Sequence, residues 1–108
     1  FFHHPVVAAV TVMIGIFKEQ VVEFAQEMDK YLNDKEFELL GKLAHKAKSS
    51  VSIMGMQDLA KDLKNLENLA REGKKTDSYA GIIQKFKDET AGATEELDIV
   101  INNIEMYF

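Results

Sequence analysis

His45 is the residue whose neighbours best suit it to chemistry, because small and basic residues flank it at helical spacing. On a helix surface, residues three and four positions apart are neighbours. Gly41 and Ser49 would therefore lie one turn before and after the imidazole, with Lys42 and Lys48 at the three-residue spacings. The pattern predicts an exposed ring on an uncrowded, positively charged patch. Such a ring suits a nucleophile that meets a bulky partner and carries an anion.

A neutral imidazole is nucleophilic near physiological pH, because its unperturbed pKa is about 6.5. A phosphoryl group bound to the ring of His45 would have the Lys48 ammonium and the Ser49 hydroxyl within reach as charge and hydrogen-bond partners. The other two histidines, His3 and His4, are adjacent and have no third ligand at a metal-binding spacing. They are interpreted as inert or tag-like.

Composition indicates one ordinary domain over residues 1–108, since 46% of the residues are hydrophobic and can form a core. The net charge of -5 counts against nucleic-acid binding, which favours a positive surface. The chain has no cysteine, which excludes disulfides and thiolate metal sites and is compatible with a cytoplasmic location. The glycines are scattered singly, so no phosphate-cradling loop is predicted and no ATP site is expected.

Residues 5–17 are nearly all apolar, and this run overlaps an N-terminal apolar segment, residues 1–12. The apolar run is shorter than the roughly 20 residues that cross a bilayer. It also lacks the basic start and the cleavage site of a secretory signal. We therefore expect a buried or docking helix and no transmembrane span.

Apolar residues recur at alternating spacings of three and four in four segments, at about 11–33, 35–54, 57–72 and from 76 or 77 to the C-terminus. Residues 5–10 form either a short separate helix or an extension of the first. Breaks are expected at residues 33–34, Gly55 and Gly73, and Thr76 or Asp77 is the expected N-cap of the fourth helix. The fold class is all-α, an antiparallel up-down four-helix bundle with a short N-terminal apolar helix or extension. The apolar stripe of the second helix is predicted to be core: Phe37, Leu40, Ala44, Ala47 and Val51.

The segment HKAKSS at 45–50, followed by Gly55, resembles the His-x-Leu-Lys-Gly-Ser signature of histidine-containing phosphotransfer (HPt) domains. The flanking segments 16–20, 39–44 and 59–67 also resemble that family, and the resemblance extends from about residue 13 to residue 107. Two positions depart from the signature. Ala47 replaces a bulkier leucine, and Ser49 replaces the glycine that leaves the phosphoryl site uncrowded.

The resemblance implies a phosphorelay intermediate without kinase activity of its own. His45 would accept a phosphoryl group from a receiver-domain aspartyl phosphate and pass it to another receiver, assisted by Lys48 and Ser49. The expected partners are response-regulator receiver domains and a hybrid sensor histidine kinase. The chain itself would need no cofactor, since Mg²⁺ would be bound by the receiver, and it is expected to be a monomer. The partner-docking residues would be Gly41, Lys42, Lys46, Ser52 and Met56.

Two other interpretations are left open by the sequence. The chain could be a non-catalytic helical interaction bundle that docks on a partner, or dimerises, through its N-terminal apolar segment. Large exposed apolar patches usually mark such interfaces. It could also be the dimerising helix pair of a histidine kinase, but that class needs an ATP-binding domain, which these 108 residues do not contain.

Overall fold

A computed structural model describes residues 5–103 of the chain, and this part is built from four α-helices. They are α1 (Pro5–Asn33), α2 (Phe37–Ile53), α3 (Gln57–Glu72) and α4 (Tyr79–Asn103), with a 3-10 turn at Thr76–Ser78. α1 packs on α2 and α4, and α3 packs on the same two helices. The predicted all-α four-helix bundle is confirmed.

Residues 5–10 continue the first helix without a break, so the N-terminal apolar segment is an extension of α1. α1 ends at Asn33, as predicted. α2 begins at Phe37, two residues later than predicted, because Lys35 adopts a left-handed backbone with φ of 56° in the preceding turn. Gly55 and Gly73 have φ of 82° and 65°, so both expected breaks are confirmed.

The start of the fourth helix differs from the prediction of an N-cap at Thr76 or Asp77. These two residues belong to the 3-10 turn, and α4 begins only at Tyr79. The Tyr79 hydroxyl donates hydrogen bonds to the backbone carbonyls of Leu69 and Lys74, at 2.8 and 2.6 Å. A buried side chain therefore holds the α3–α4 connection. The last residues of the predicted fourth helix, 104–108, lie outside the described residues, as do His3 and His4.

All four helices contribute side chains to one core. The stripe of α2 is confirmed as core, with Leu40, Ala44, Ala47 and Val51 buried and Phe37 packed against them. Facing residues from the other helices are also buried: Phe17, Met28, Leu59, Leu63, Leu66, Ile83 and Phe86.

α1 and α4 are longer than α2 and α3, and residues 5–103 together measure 50 × 20 × 17 Å. By length and composition alone α1 could cross a membrane. That is weak evidence for a span, because the same helix supplies Ile14, Phe17 and Met28 to the core.

Candidate functional site

His45 lies on the middle turn of α2 with 53% of its side chain exposed, although Ala44 and Ala47 beside it are fully buried. The predicted exposure of the ring is confirmed. The two alanines, with Leu40 and Val51, fix the face of α2 that enters the core. His45 lies at the margin of that face, beside α3, so its ring is anchored on one side and open to solvent on the other.

The anchored side of the ring contacts Glu67 on α3. His45 Nδ1 lies 3.2 Å from Glu67 Oε1, which is hydrogen-bonding distance. Glu67 is only 2% exposed. A buried carboxylate therefore holds one ring nitrogen, and the other nitrogen, Nε2, lies at the opposite ring edge without a hydrogen-bond partner among residues 5–103.

Three cationic or hydrogen-bonding groups surround the Glu67 carboxylate. Arg71 Nη2 lies 3.0 Å from Oε2, and Lys64 Nζ lies 3.7 Å from the same Oε1 that His45 contacts. Burial by itself raises the pKa of Glu67, but the hydrogen bond from His45 and the charges of His45, Lys64 and Arg71 outweigh burial and lower it. Glu67 is therefore an ionised carboxylate at neutral pH.

The ionised state of Glu67 fixes the roles of the two ring nitrogens. A carboxylate can only accept hydrogen bonds, so Nδ1 of His45 must carry the hydrogen that it donates. In the neutral ring, Nε2 then has the free lone pair. The arrangement directs a nucleophilic nitrogen away from Glu67 toward solvent.

Gly41 is not part of the open approach to the ring, and that prediction is wrong. It is buried on α2, facing α3. A Cβ atom at this position would lie 3.2 Å from Arg71 Cγ and 3.3 Å from the backbone oxygen of Glu67. Glycine leaves room for close packing of the two helices, since an added Cβ would require Arg71 or the α3 backbone to move by a few tenths of an ångström. The close approach occurs one turn before His45 and brings Glu67 within reach of the imidazole.

The remaining predicted site residues lie on the exposed or half-buried surface of α2 and the following loop. Ser49 donates a hydrogen bond from its hydroxyl to the backbone oxygen of His45 at 3.3 Å. Lys42 and Lys46 are exposed and Lys48 is half-buried, and none of the three pairs with an acidic side chain among residues 5–103. Ser52 and Met56 are half-buried.

An apolar groove lies beside this face, between α1 and the C-terminal end of α2. The groove has a volume of about 210 Å³. Met13, Ile16 and Ile53 line it and are 53%, 51% and 75% exposed. We call these three residues the apolar strip. Ile53 lies two turns beyond His45, about 12 Å along the helix axis.

The roles of the α3 residues Lys64, Glu67 and Arg71 at the site were not predicted from the sequence. A signal was present, because Glu67 adjoins the apolar stripe of Leu63, Leu66 and Ala70 and has cations three residues before and four after it. An acidic residue on a buried face needs partners, and those cations supply two of them. No group of three or more potential metal ligands forms within residues 5–103.

The chain belongs to the Hpt domain family. The family model described as "Hpt domain" matches residues 12–103, which include all of α2 and α3. No curated protein and no solved structure matches the chain. Hpt domains transfer phosphoryl groups in phosphorelay signalling and interact with receiver domains and kinases, and this places the chain in that class of signalling proteins.

Proposed function

We propose that His45 is the phosphoryl acceptor, taking the group from an aspartyl phosphate on a receiver domain and passing it to another receiver. The observation that carries this proposal is the half-exposed imidazole with its Nδ1 bound to a buried carboxylate. Among residues 5–103 it is the only histidine.

The reaction follows from the roles of the two nitrogens. The Nε2 lone pair attacks the phosphorus atom of the acyl phosphate, and the N–P bond forms as the P–O bond to the receiver carboxylate breaks. The electron pair of the broken bond stays on that carboxylate. Nδ1 keeps its proton, and Glu67 stabilises the positive charge on the phosphorylated ring. Mg²⁺, which neutralises charge on the phosphoryl oxygens, would be held by the receiver.

Side chains on both helices would stabilise the incoming phosphoryl group. Lys48 and Ser49 lie within one turn of His45 on α2, and Lys64 Nζ on α3 lies 3.7 Å from the Glu67 oxygen that His45 Nδ1 contacts. We assign Lys48 and Lys64 to the phosphoryl oxygens as point charges, and Ser49 as a hydroxyl donor.

The receiver would dock on the apolar strip and on the basic surface around His45. Met13, Ile16 and Ile53 offer exposed apolar area that begins two turns beyond the nucleophile on α2, and Lys42 and Lys46 offer positive charge. A receiver site that binds Mg²⁺ must carry carboxylates, so the charges are complementary.

The direct test is phosphate transfer from a panel of phosphorylated receivers to the wild-type chain and to His45→Gln. We expect acid-labile, alkali-stable phosphate on the wild type and none on the variant. Phosphoramidate, a small donor that needs no docking surface, should label the wild type in the same way. Phosphate that stays on every receiver, while phosphoramidate also fails to label His45, would contradict the proposal.

Docking can be separated from chemistry by a matched pair of exposed apolar residues on α1. Ile16 and Val22 are 51% and 56% exposed, but they lie about 120° apart around the helix and line different grooves. We expect Ile16→Glu to slow transfer from a receiver without affecting labelling by phosphoramidate. Val22→Glu should change neither rate. Equal effects of the two variants would exclude the apolar strip as the docking surface.

A second function, self-association through the N-terminal apolar segment, is favoured by the exposure of Val12 and Met13, at 58% and 53%. Sedimentation of the full chain over a range of concentrations tests it. We expect a monomer. A dimer that Met13→Glu dissociates, and that His45→Gln leaves intact, would support the second function.

A further inference from the structure

One end of the bundle lacks charged side chains on both of its long helices. α1 and α4 are antiparallel, since Lys18 pairs with Asp98 at 2.7 Å and Lys87 pairs with Asp29 at 2.5 Å. On the far side of the Lys18–Asp98 pair, residues 5–17 of α1 and 99–103 of α4 include no acidic or basic residue. We call these two segments the apolar arm. The ion pair marks a sharp boundary between the arm and the charged remainder of the bundle.

The arm is apolar on every side of α1, and the fold covers only part of it. Within residues 5–17, Val7, Ile14 and Phe17 are buried. The exposed residues are also apolar and spread over about half of the helix circumference. They are Pro5, Val6, Ala9, Val12, Met13, Gly15 and Ile16. Only 17% of the most apolar 18-residue stretch of α1 is buried. A helix that is hydrophobic all round is typical of an apolar environment, such as a protein core or a membrane.

The polar side chain within residues 5–17 is already satisfied inside the helix. Thr11 is the only one, and its hydroxyl donates a hydrogen bond to the Val7 backbone oxygen at 2.8 Å. On α4, the Asn103 side-chain amide donates to the Ile99 backbone oxygen, also at 2.8 Å. A polar group that leaves water without a hydrogen-bond partner is costly, and a helix satisfies its own backbone groups. Residues 5–17 can therefore leave water without stranding the Thr11 hydroxyl.

The length of the arm fits one leaflet of a bilayer and not a full span. Residues 5–17 form about 20 Å of helix, whereas the hydrocarbon core of a bilayer is about 30 Å thick. The outer part, residues 5–12, is about 12 Å long, close to the depth of one leaflet. Met13 and Ile16 of the apolar strip lie at the base of the arm, beside Ile53 at the end of α2. The outer part can therefore enter lipid while the strip stays near the surface.

We propose that the apolar arm inserts into one leaflet of a lipid bilayer, with residues 5–12 foremost, and holds the domain on a membrane surface. A second copy of the chain would cover one side of the arm, whereas lipid covers every exposed side. The nucleophile stays in water, because Ser50 bonds to Gln20 at 3.0 Å and His45 lies five residues farther from the arm along α2. Insertion goes beyond the proposed function and does not depend on the chemistry of His45.

Flotation of the full chain with vesicles tests the proposal. We expect binding to vesicles of phosphatidylcholine alone, and high salt should not release the protein because the arm has no charge to screen. The net charge of -5 predicts weaker binding to equimolar phosphatidylcholine and phosphatidylglycerol. Failure to bind phosphatidylcholine vesicles would overturn the proposal. Binding to the anionic vesicles alone, abolished by salt, would overturn it as well.

Two exposed valines of α1 form a matched pair on either side of the Lys18 boundary. Val12 on the arm is 58% exposed, and Val22 beyond Lys18 is 56% exposed. We expect Val12→Glu to weaken vesicle binding by about tenfold or more, because a charge replaces an apolar side chain in lipid. Val22→Glu should bind as the wild type does. Equal effects of the two variants would contradict insertion of the arm. Phosphoramidate labelling of His45 should be unchanged in both, which shows that the variants are folded.

Fluorescence provides a second measurement that introduces no charge, since the chain has no tryptophan. Lipids brominated on their acyl chains should quench the fluorescence of Val12→Trp and leave that of Val22→Trp unchanged. Absence of quenching in Val12→Trp would overturn the proposal. So would a concentration-dependent dimer that binds no vesicles, because a second copy would then cover the arm. Vesicle binding by a chain that no receiver phosphorylates would count against the proposed function alone.

Discussion

Replacement of Gly41 by alanine tests whether the close packing of α2 on α3 determines the geometry at His45. Gly41 is helical and buried, and an added Cβ would lie 3.2 Å from Arg71 Cγ and 3.3 Å from the Glu67 backbone oxygen. Carbon atoms at optimal separation lie about 3.5–4.0 Å apart. The Arg71 side chain can move by the few tenths of an ångström required. The backbone oxygen can move only with α3.

Two opposing terms set the size of the effect. Alanine is favoured over glycine in a helix interior by about 1 kcal/mol. Overpacking a helix contact costs about 1–3 kcal/mol. The net change for Gly41→Ala therefore runs from about zero to a loss of 2 kcal/mol in the free energy of unfolding. The larger Gly41→Val should move α3 further and lengthen the 3.2 Å contact between His45 Nδ1 and Glu67 Oε1.

Gly92 provides the matched control, because it lies inside α4 and a Cβ there would meet nothing within 4 Å. Gly92→Ala should gain the full helix preference, about 1 kcal/mol. Urea unfolding of both alanine variants measures the difference, and phosphoramidate labelling measures the effect on His45. We expect Gly41→Val to label more slowly than the wild type. If Gly41→Ala were as stabilising as Gly92→Ala, the close helix contact at Gly41 would be refuted.

Three further predictions concern the core and the His45–Glu67 pair. Leu63 is fully buried, so Leu63→Ala should lower the free energy of unfolding in urea by about 2–5 kcal/mol, and a loss near zero would contradict its burial. His45 is half exposed, so His45→Gln should change that free energy by less than about 1 kcal/mol; a larger loss would give the ring a structural role. The folded-state pKa of Glu67 lies below its ordinary value of 4.5, so its ionised form stabilises the fold above about pH 4.5, and this contribution is lost as the pH falls through the lower folded value. Urea midpoints of the wild type should therefore fall more steeply than those of Glu67→Gln on acidification in that range, and parallel curves would contradict the lowered pKa.

The helices themselves could be predicted from the sequence, because local periodicity determines them. α3 begins and ends at the predicted residues, and the glycines that end α2 and α3 adopt the expected left-handed conformation. The start of α4 could not be predicted from local capping rules. Tyr79 is buried and its hydroxyl binds two carbonyls of the preceding connection, so tertiary contacts override the capping preference of Thr76 and Asp77.

The sequence alone also located His45 and its exposure, because a residue beside an apolar stripe must lie at the edge of the core. The contact between Nδ1 and Glu67 joins residues 22 positions apart on two helices, and it depends on how closely those helices approach. Gly41 permits that close approach, and its contact with α3 could not be predicted from the sequence of α2 alone. Helical periodicity thus determined which face of α2 carries the imidazole, whereas only helix packing decided which of its nitrogens is free to react.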